Sequence, residues 1–243
     1  MKKILGYLLT PIYYLCFGLL LVIFHPIQWV SLKLGGYNAH KKSVDILNFF
    51  VTYILFILGT KISFRNNYKL PNDAPLIVVS NHQSVNDIPG IIWFLRNHHP
   101  KFVAKKELGK GIPSISFNLN HGGSVLIDRK DAKQAISEVM KLGEYIEKYN
   151  RTAVIFPEGT RSRTGKPKRF STNGLKMLVR KAPSAYIVPI AINNSWKFLK
   201  NGNFPLEVGV HLTFDVLEPI KVDSMNFDEL FEKVETQIKS KVE

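Results

Sequence analysis

Two hydrophobic patterns divide the chain near residue 61. Before it lie two long runs, residues 4–32 and 46–60, with no Lys, Arg, Asp or Glu. After it, short apolar runs alternate with amphipathic stretches, and several of the runs end in polar clusters. The runs 76–80, 102–104, 125–127, 153–156, 186–192 and 208–216 predict strands. Residues 88–96, 132–148, 174–181 and 227–242 read as helices. In the clearest of these, Ala132, Ala135, Ile136, Val139, Leu142 and Ile146 recur on one face. Asp131 with Gln134 three residues on predicts a capping box at its start. In the last helix Met225, Leu230, Phe231, Val234 and Ile238 form a packing face. Strand and helix in alternation imply an α/β fold, a largely parallel or mixed central sheet covered by helices.

The N-terminal runs ask for a different solvent. Residues 12–24 are almost wholly apolar, and Tyr7, Tyr13, Tyr14 and Trp29 edge them, as at a membrane interface. Lys2 and Lys3 before the run also suit a signal peptide, but no small-residue cleavage site follows and Pro11 and Pro26 bracket the segment. The expectation is therefore retention. Residues 46–60 would span about 22 Å as a helix, short of a hydrocarbon core of about 30 Å. A two-span hairpin would also place the basic link of Lys33, Lys41 and Lys42 on the wrong side for the positive-inside rule. A two-helix element dipping into one leaflet meets both constraints. A soluble buried hairpin and a single crossing by the first run are the alternatives. The expected division is residues 1–62 as a membrane-associating helical hairpin and 63–243 as the α/β domain.

Composition narrows the function classes. With 45% apolar and 12% aromatic residues the chain is not disordered. A net charge of +14 asks for an anionic partner, whether nucleic acid, an anionic membrane or a phosphorylated substrate. The single cysteine, Cys16, excludes an internal disulfide, and no Cys/His cluster has zinc-ligand spacing.

The candidate chemistry sits in the polar clusters. The strand at 76–80 leads into Asn81-His82-Gln83-Ser84-Val85-Asn86-Asp87. Imidazole accepts protons near neutral pH, and a carboxylate can fix its tautomer. The five-residue step does not put both side chains on one helical face, so the chain must bend between them. The bland alternative makes Asp87 a helix cap and His82 a loop residue. The strand at 153–156 leads into Pro157-Glu158-Gly159-Thr160-Arg161-Ser162. Lys105 and Lys106 follow the strand at 102–104, and Asp128 and Arg129 the strand at 125–127. Residues 151–181 hold nine Lys or Arg against one Glu, enough to dock anionic lipid or polyphosphate. A parallel sheet would bring these clusters to one rim. A nucleic-acid-binding module would explain the charge, but not His, Asp, Glu and Arg gathered at strand ends, so no nucleic-acid partner is expected.

The ordered set resembles the glycerolipid acyltransferase family. It comprises Asn81-His82 with Asp87, Lys105-x-Glu107-Leu108, Gly123 with Ile127-Asp128-Arg129, the block Phe156–Ser162 and Val188-Pro189-Ile190-Ala191-Ile192. The resemblance covers about residues 76–192, and the N-terminal hairpin also fits it. It implies transfer of a fatty acyl chain from acyl-CoA or acyl-carrier protein to the sn-2 hydroxyl of 1-acylglycerol 3-phosphate, giving phosphatidic acid. It implies His82 as base, Asp87 as its orienting partner, and the block with Glu158, Gly159, Thr160 and Arg161 as the acceptor site. Arg161 would take the phosphate, with Lys105 and Arg129 as helpers. Lys105 and the N–H groups near Gly159 are the candidate oxyanion donors. No metal and no cofactor beyond the thioester co-substrate are expected. The implied partners are a membrane lipid acceptor, the acyl donor and an anionic surface, with the protein monotopic on the cytoplasmic face of the inner membrane. Acylation of another lyso-lipid or of glycerol 3-phosphate is the near alternative. A basic membrane-associated binding module without catalysis is the distant one.

Overall fold

A computed structural model describes residues 2–242. Eight strands form one mixed sheet: β1 (Lys61–Arg65), β2 (Leu76–Ser80), β3 (Pro100–Lys105), β4 (Val125–Ile127), β5 (Thr152–Ile155), β6 (Tyr186–Asn193), β7 (His211–Val216) and β8 (Ile220–Lys221). The order is β1-β7-β6-β2-β5-β3-β4, with β8 pairing β6. Strands β2 to β6 run parallel, so their C-terminal ends share one edge. Strand β7 is antiparallel to β6, and β1 is parallel to β7. All six expected strands are present. The expected 208–216 run pairs only from His211, because Gly209 takes a left-handed turn (φ 76°) and its N–H donates to Leu58. Strands β1 and β8 were not anticipated; they are short and carry exposed lysines, which obscures their periodicity.

The helices are α1 (Lys2–Tyr53), α2 (Asp87–Phe94), α3 (Ile115–His121), α4 (Ala132–Tyr149), α5 (Thr172–Lys181) and α6 (Phe227–Lys241). All but the short α3 were expected. The capping box at α4 is half formed. Asp131 Oδ1 accepts from Gln134 N at 2.9 Å, but the Gln134 side chain turns to Asp128 N and Leu126 O and so ties the helix to β4.

The alternation along each buried strand sorts its side chains into two cores. Leu76, Val78, Val154, Val188, Ile190 and Ile192 face the layer that holds α2 and parts of α1. Ile77, Val79, Ala153, Ile155 and Ile187 face α4, α5 and α6. The result is three layers, with β2 central.

The two N-terminal runs belong to one helical element that breaks at Gly36 (φ 63°, ψ −157°), a conformation that favours glycine. The arms 2–35 and 37–53 fold back on each other, and Leu21 and Phe24 meet Leu47 and Val51. Helix continues through Pro11 and Pro26, which were expected to bracket the segment, and the basic link is itself helical. The first arm lies along the body. Leu206 N donates to Thr10 Oγ1 (2.9 Å), Tyr14 to Asn203 O (2.8 Å), and Ser114 Oγ to Leu21 O (2.6 Å). Its outer face is apolar and bare: Leu8 and Leu15 are each 63% exposed and Val22 59%. By length and composition α1 with its following turn could cross a membrane, yet its first arm is hydrogen-bonded to the body at Thr10, Tyr14 and Leu21.

Candidate functional site

The site forms where β2 ends. Past Ser80 the strand can no longer pair through its backbone, and Asn81 continues the ladder with its side chain. Its Nδ2 donates to Ile192 O (2.8 Å) and its Oδ1 accepts from Ile192 N (2.7 Å), which locks the strand end to β6. The chain then bends, as the five-residue spacing required. His82 Nδ1 stands 2.8 Å from Asp87 Oδ2. An ionised carboxylate only accepts, so Nδ1 carries the proton and Nε2 keeps its lone pair.

Asp87 is fully buried, a costly place for a charge unless donors surround it. They do. Besides the imidazole, Oδ2 accepts from Gln83 N (2.7 Å) and Ser84 N (2.8 Å), and Oδ1 accepts from Ser195 Oγ (2.5 Å). The helix-cap alternative therefore fails in its usual form. Asp87 opens α2, but its donors come from the turn before the helix and from a serine beyond β6. The sequence reading missed Ser195; a buried serine after an apolar strand gives no local signal.

The imidazole ring stacks on Phe156, centroids 4.2 Å apart, which sets its plane. The backbone of His82 is clamped by the loop after β5. Its N–H donates to Glu158 Oε1 (2.8 Å), and its carbonyl accepts from Ser162 N (2.7 Å). The other Glu158 oxygen accepts from Lys168 N (2.8 Å). Burial pushes the Glu158 carboxyl up, opposed by these two backbone donors and by the charges of His82 and Lys168. Both Glu158 oxygens thus brace main chain beside the base, a role that the resemblance does not imply.

The remaining candidates fall into two sets. Gly159 has φ 66°, and its N–H donates to Phe156 O, so that donor is already used and does not serve as an oxyanion group. Thr160 Oγ1 accepts from Lys168 Nζ (2.8 Å), and Lys168 also holds Arg161 O (3.0 Å). Arg161 is exposed on the same loop as the His82 clamp. Lys105 ends β3 and Arg129 follows β4, on the same sheet edge, and both are exposed. With about 4.8 Å between strands, they lie roughly 10 and 14 Å across the sheet from β2. Among the described residues, no group of three or more His, Cys, Asp or Glu side chains is placed to share a metal ion.

What the arrangement can do is take a proton at His82 Nε2, beside an apolar wall and a cationic rim. Comparison with known proteins bears on the family. Residues 61–193, more than half of the chain, match the family model described as Acyltransferase. The 1-acyl-sn-glycerol-3-phosphate acyltransferase of Helicobacter pylori is 37% identical over 134 residues, 54% of this chain and 53% of that protein. The enzyme of the same name from Borreliella burgdorferi is 25% identical over 192 residues, 75% of each chain. For several curated relatives, including sheep, bacterial and human proteins, the match spans only about half to two thirds of their length. The crystal structure of the 1-acyl-sn-glycerophosphate acyltransferase PlsC from Thermotoga maritima superposes with a TM-score of 0.81. It is 25% identical, and the match covers 99% of this chain and 95% of that one.

Proposed function

Because the chain belongs to the acyltransferase family, we propose that it moves a fatty acyl group from a thioester to the free hydroxyl of 1-acylglycerol 3-phosphate, yielding phosphatidic acid. The observation that carries the reading is the 2.8 Å His82–Asp87 pair, held from both sides at a strand end. As the acceptor oxygen attacks the thioester carbonyl, His82 Nε2 takes its proton, and Asp87 stabilises the imidazolium. When the tetrahedral intermediate collapses, the C–S bond breaks and the imidazolium returns the proton to the departing thiolate. The hydroxyl can attack directly, so the scheme needs no acyl-enzyme and no cofactor beyond the thioester.

Arg161 is proposed to hold the acceptor phosphate, since guanidinium grips phosphate bidentately. Lys105 and Arg129 extend the cationic rim towards the acceptor or the phosphate-bearing donor. The bare apolar face of α1 and the net charge of +14 support docking on one anionic leaflet, with the acceptor drawn from the lipid and the donor from water. Because the first arm is tied to the body from Thr10 to Leu21, a crossing arm would drag the polar body into the bilayer. The cytoplasmic face of the inner membrane is the proposed location.

The test is purified protein with labelled acyl-CoA and acyl-carrier protein against a panel of lyso-acceptors and glycerol 3-phosphate. Acylation of 1-acylglycerol 3-phosphate at the sn-2 position is expected. Preference for an unphosphorylated acceptor would overturn the substrate assignment.

A further inference from the structure

At the opposite end of β3 from the proposed active site, the second arm of α1 closes over a cluster of cationic and imidazole groups that the chemistry above does not use. His40, Lys41, Asp45, His99, Lys101, Asn118 and Ser124 line a cavity of about 20 Å³. Lys101, the second residue of β3, is only 6% exposed, and its ammonium makes no hydrogen bond or ion pair among the described residues, Nζ keeping a little contact with solvent. Its Nζ lies 5.0 Å from the centroid of the Tyr37 ring. Arg151 covers the same ring at 3.8 Å. Asp45 is the one carboxylate in the lining, and it is engaged by Lys41 at 2.5 Å. His40 is 1% exposed, and neither of its ring nitrogens has a partner.

A largely buried ammonium without an acceptor is disfavoured, and a neutral imidazole needs an acceptor for its N–H and a donor for its other nitrogen. Ser124 adds a donor: its oxygen accepts from Phe102 N at 3.1 Å, which leaves its own O–H to point elsewhere. Against these donors the lining offers the Asp45 carboxylate, engaged by Lys41, and the Asn118 amide oxygen. The cavity's size selects the occupant, because about one water-sized species fits and a phosphate or carboxylate does not. We infer that the cavity between α1 and β3 is a binding site for a monatomic anion of the halide class, held by Lys101, His40 and Ser124. Arg151 and Lys101 share the Tyr37 ring beside it, and the ion joins the hairpin to the sheet. Burial, with Arg151 and Lys41 nearby, pushes the Lys101 ammonium down to about 7, so a bound halide would keep it protonated at neutral pH. The inference is independent of the acyl-transfer reading.

Crystals of the full chain grown or soaked in bromide test it. The expected result is an anomalous peak in the cavity near Lys101 Nζ and the His40 ring, absent in Lys101→Met. In solution, replacing gluconate by chloride at constant ionic strength should raise the Tm by a few degrees, and Lys101→Met should abolish the rise. Ser124→Ala, a milder change, should weaken the chloride dependence several-fold. A cavity density without anomalous signal would be water and would overturn the proposal. So would a bromide peak that persists in Lys101→Met, or equal Tm values in the two salts.

Discussion

The backbone N–H of His82 donates to Glu158 Oε1 at 2.8 Å, across 76 residues of sequence. The residue expected in the acceptor site fixes the base from behind. Glu158→Gln can replace only one of the two acceptor oxygens and sets an NH₂ against a backbone N–H. A misplacement near 1 Å costs about 10²-fold in rate. We therefore expect kcat to fall by that order with little change in the acceptor KM. A rise in KM alone would restore the acceptor-binding role.

The same carboxyl gives a signed pH dependence. Burial raises it, so the folded protein holds this proton to higher pH than the unfolded chain. Its favourable contribution is full below the ordinary glutamate range and is lost as pH rises through the raised value. Measured by urea unfolding against Glu158→Gln, the parent should lose relative stability as pH rises through and above the ordinary glutamate range. Parallel curves would contradict the burial argument.

His82→Ala and Asp87→Asn separate chemistry from architecture. His82 is partly exposed and its loss leaves the turn tied by Asp87, so activity should vanish while the Tm stays close to that of the parent. Asp87→Asn should lower kcat by about 10³–10⁴-fold through the wrong tautomer. It should also destabilise the fold by about 2–4 kcal/mol, because an amide meets donors where a carboxylate accepted them. Circular dichroism melts beside single-turnover assays distinguish the two.

Ser195→Ala removes the donor on Asp87 Oδ1. The carboxylate then concentrates its charge towards the imidazole, and the acid limb of the pH–rate profile should move to higher pH. Ser195→Thr should restore the parent profile if its hydroxyl keeps the contact. An unmoved profile in both variants would leave Ser195 with a packing role.

Arg161→Ala should raise KM for a phosphorylated acceptor at least tenfold, the lower range for a lost charge-assisted hydrogen bond, with a much smaller effect on the acyl donor. Arg161→Lys should recover only part, since an ammonium cannot form the fork. Equal effects on both substrates would remove Arg161 from the phosphate role.

The outer face of the first arm is open to direct change. Leu8→Glu, Leu15→Glu and Val22→Glu together should abolish binding to anionic vesicles without lowering the Tm, because these side chains touch little of the protein. Protease protection should leave the region around Gly36 inaccessible from the far side of sealed vesicles. Cleavage there would indicate a crossing hairpin.

Much of this protein is legible along the chain. Strand and helix positions follow from periodicity, since a buried strand or an amphipathic helix must show its face in sequence. The His82–Asp87 spacing and the polar cluster after β5 could be read as a site because each stands directly after an apolar run. The tertiary structure alone decided who serves whom. It made Glu158 a brace on His82 and brought Ser195 to Asp87 across 108 residues. It also bent the two apolar runs about Gly36 and buried Lys101 beneath the second arm. These outcomes depend on strand order and on long-range hydrogen bonds. A carboxylate before a turn looks the same in sequence whether its lone pairs meet a substrate or a backbone N–H from a neighbouring strand.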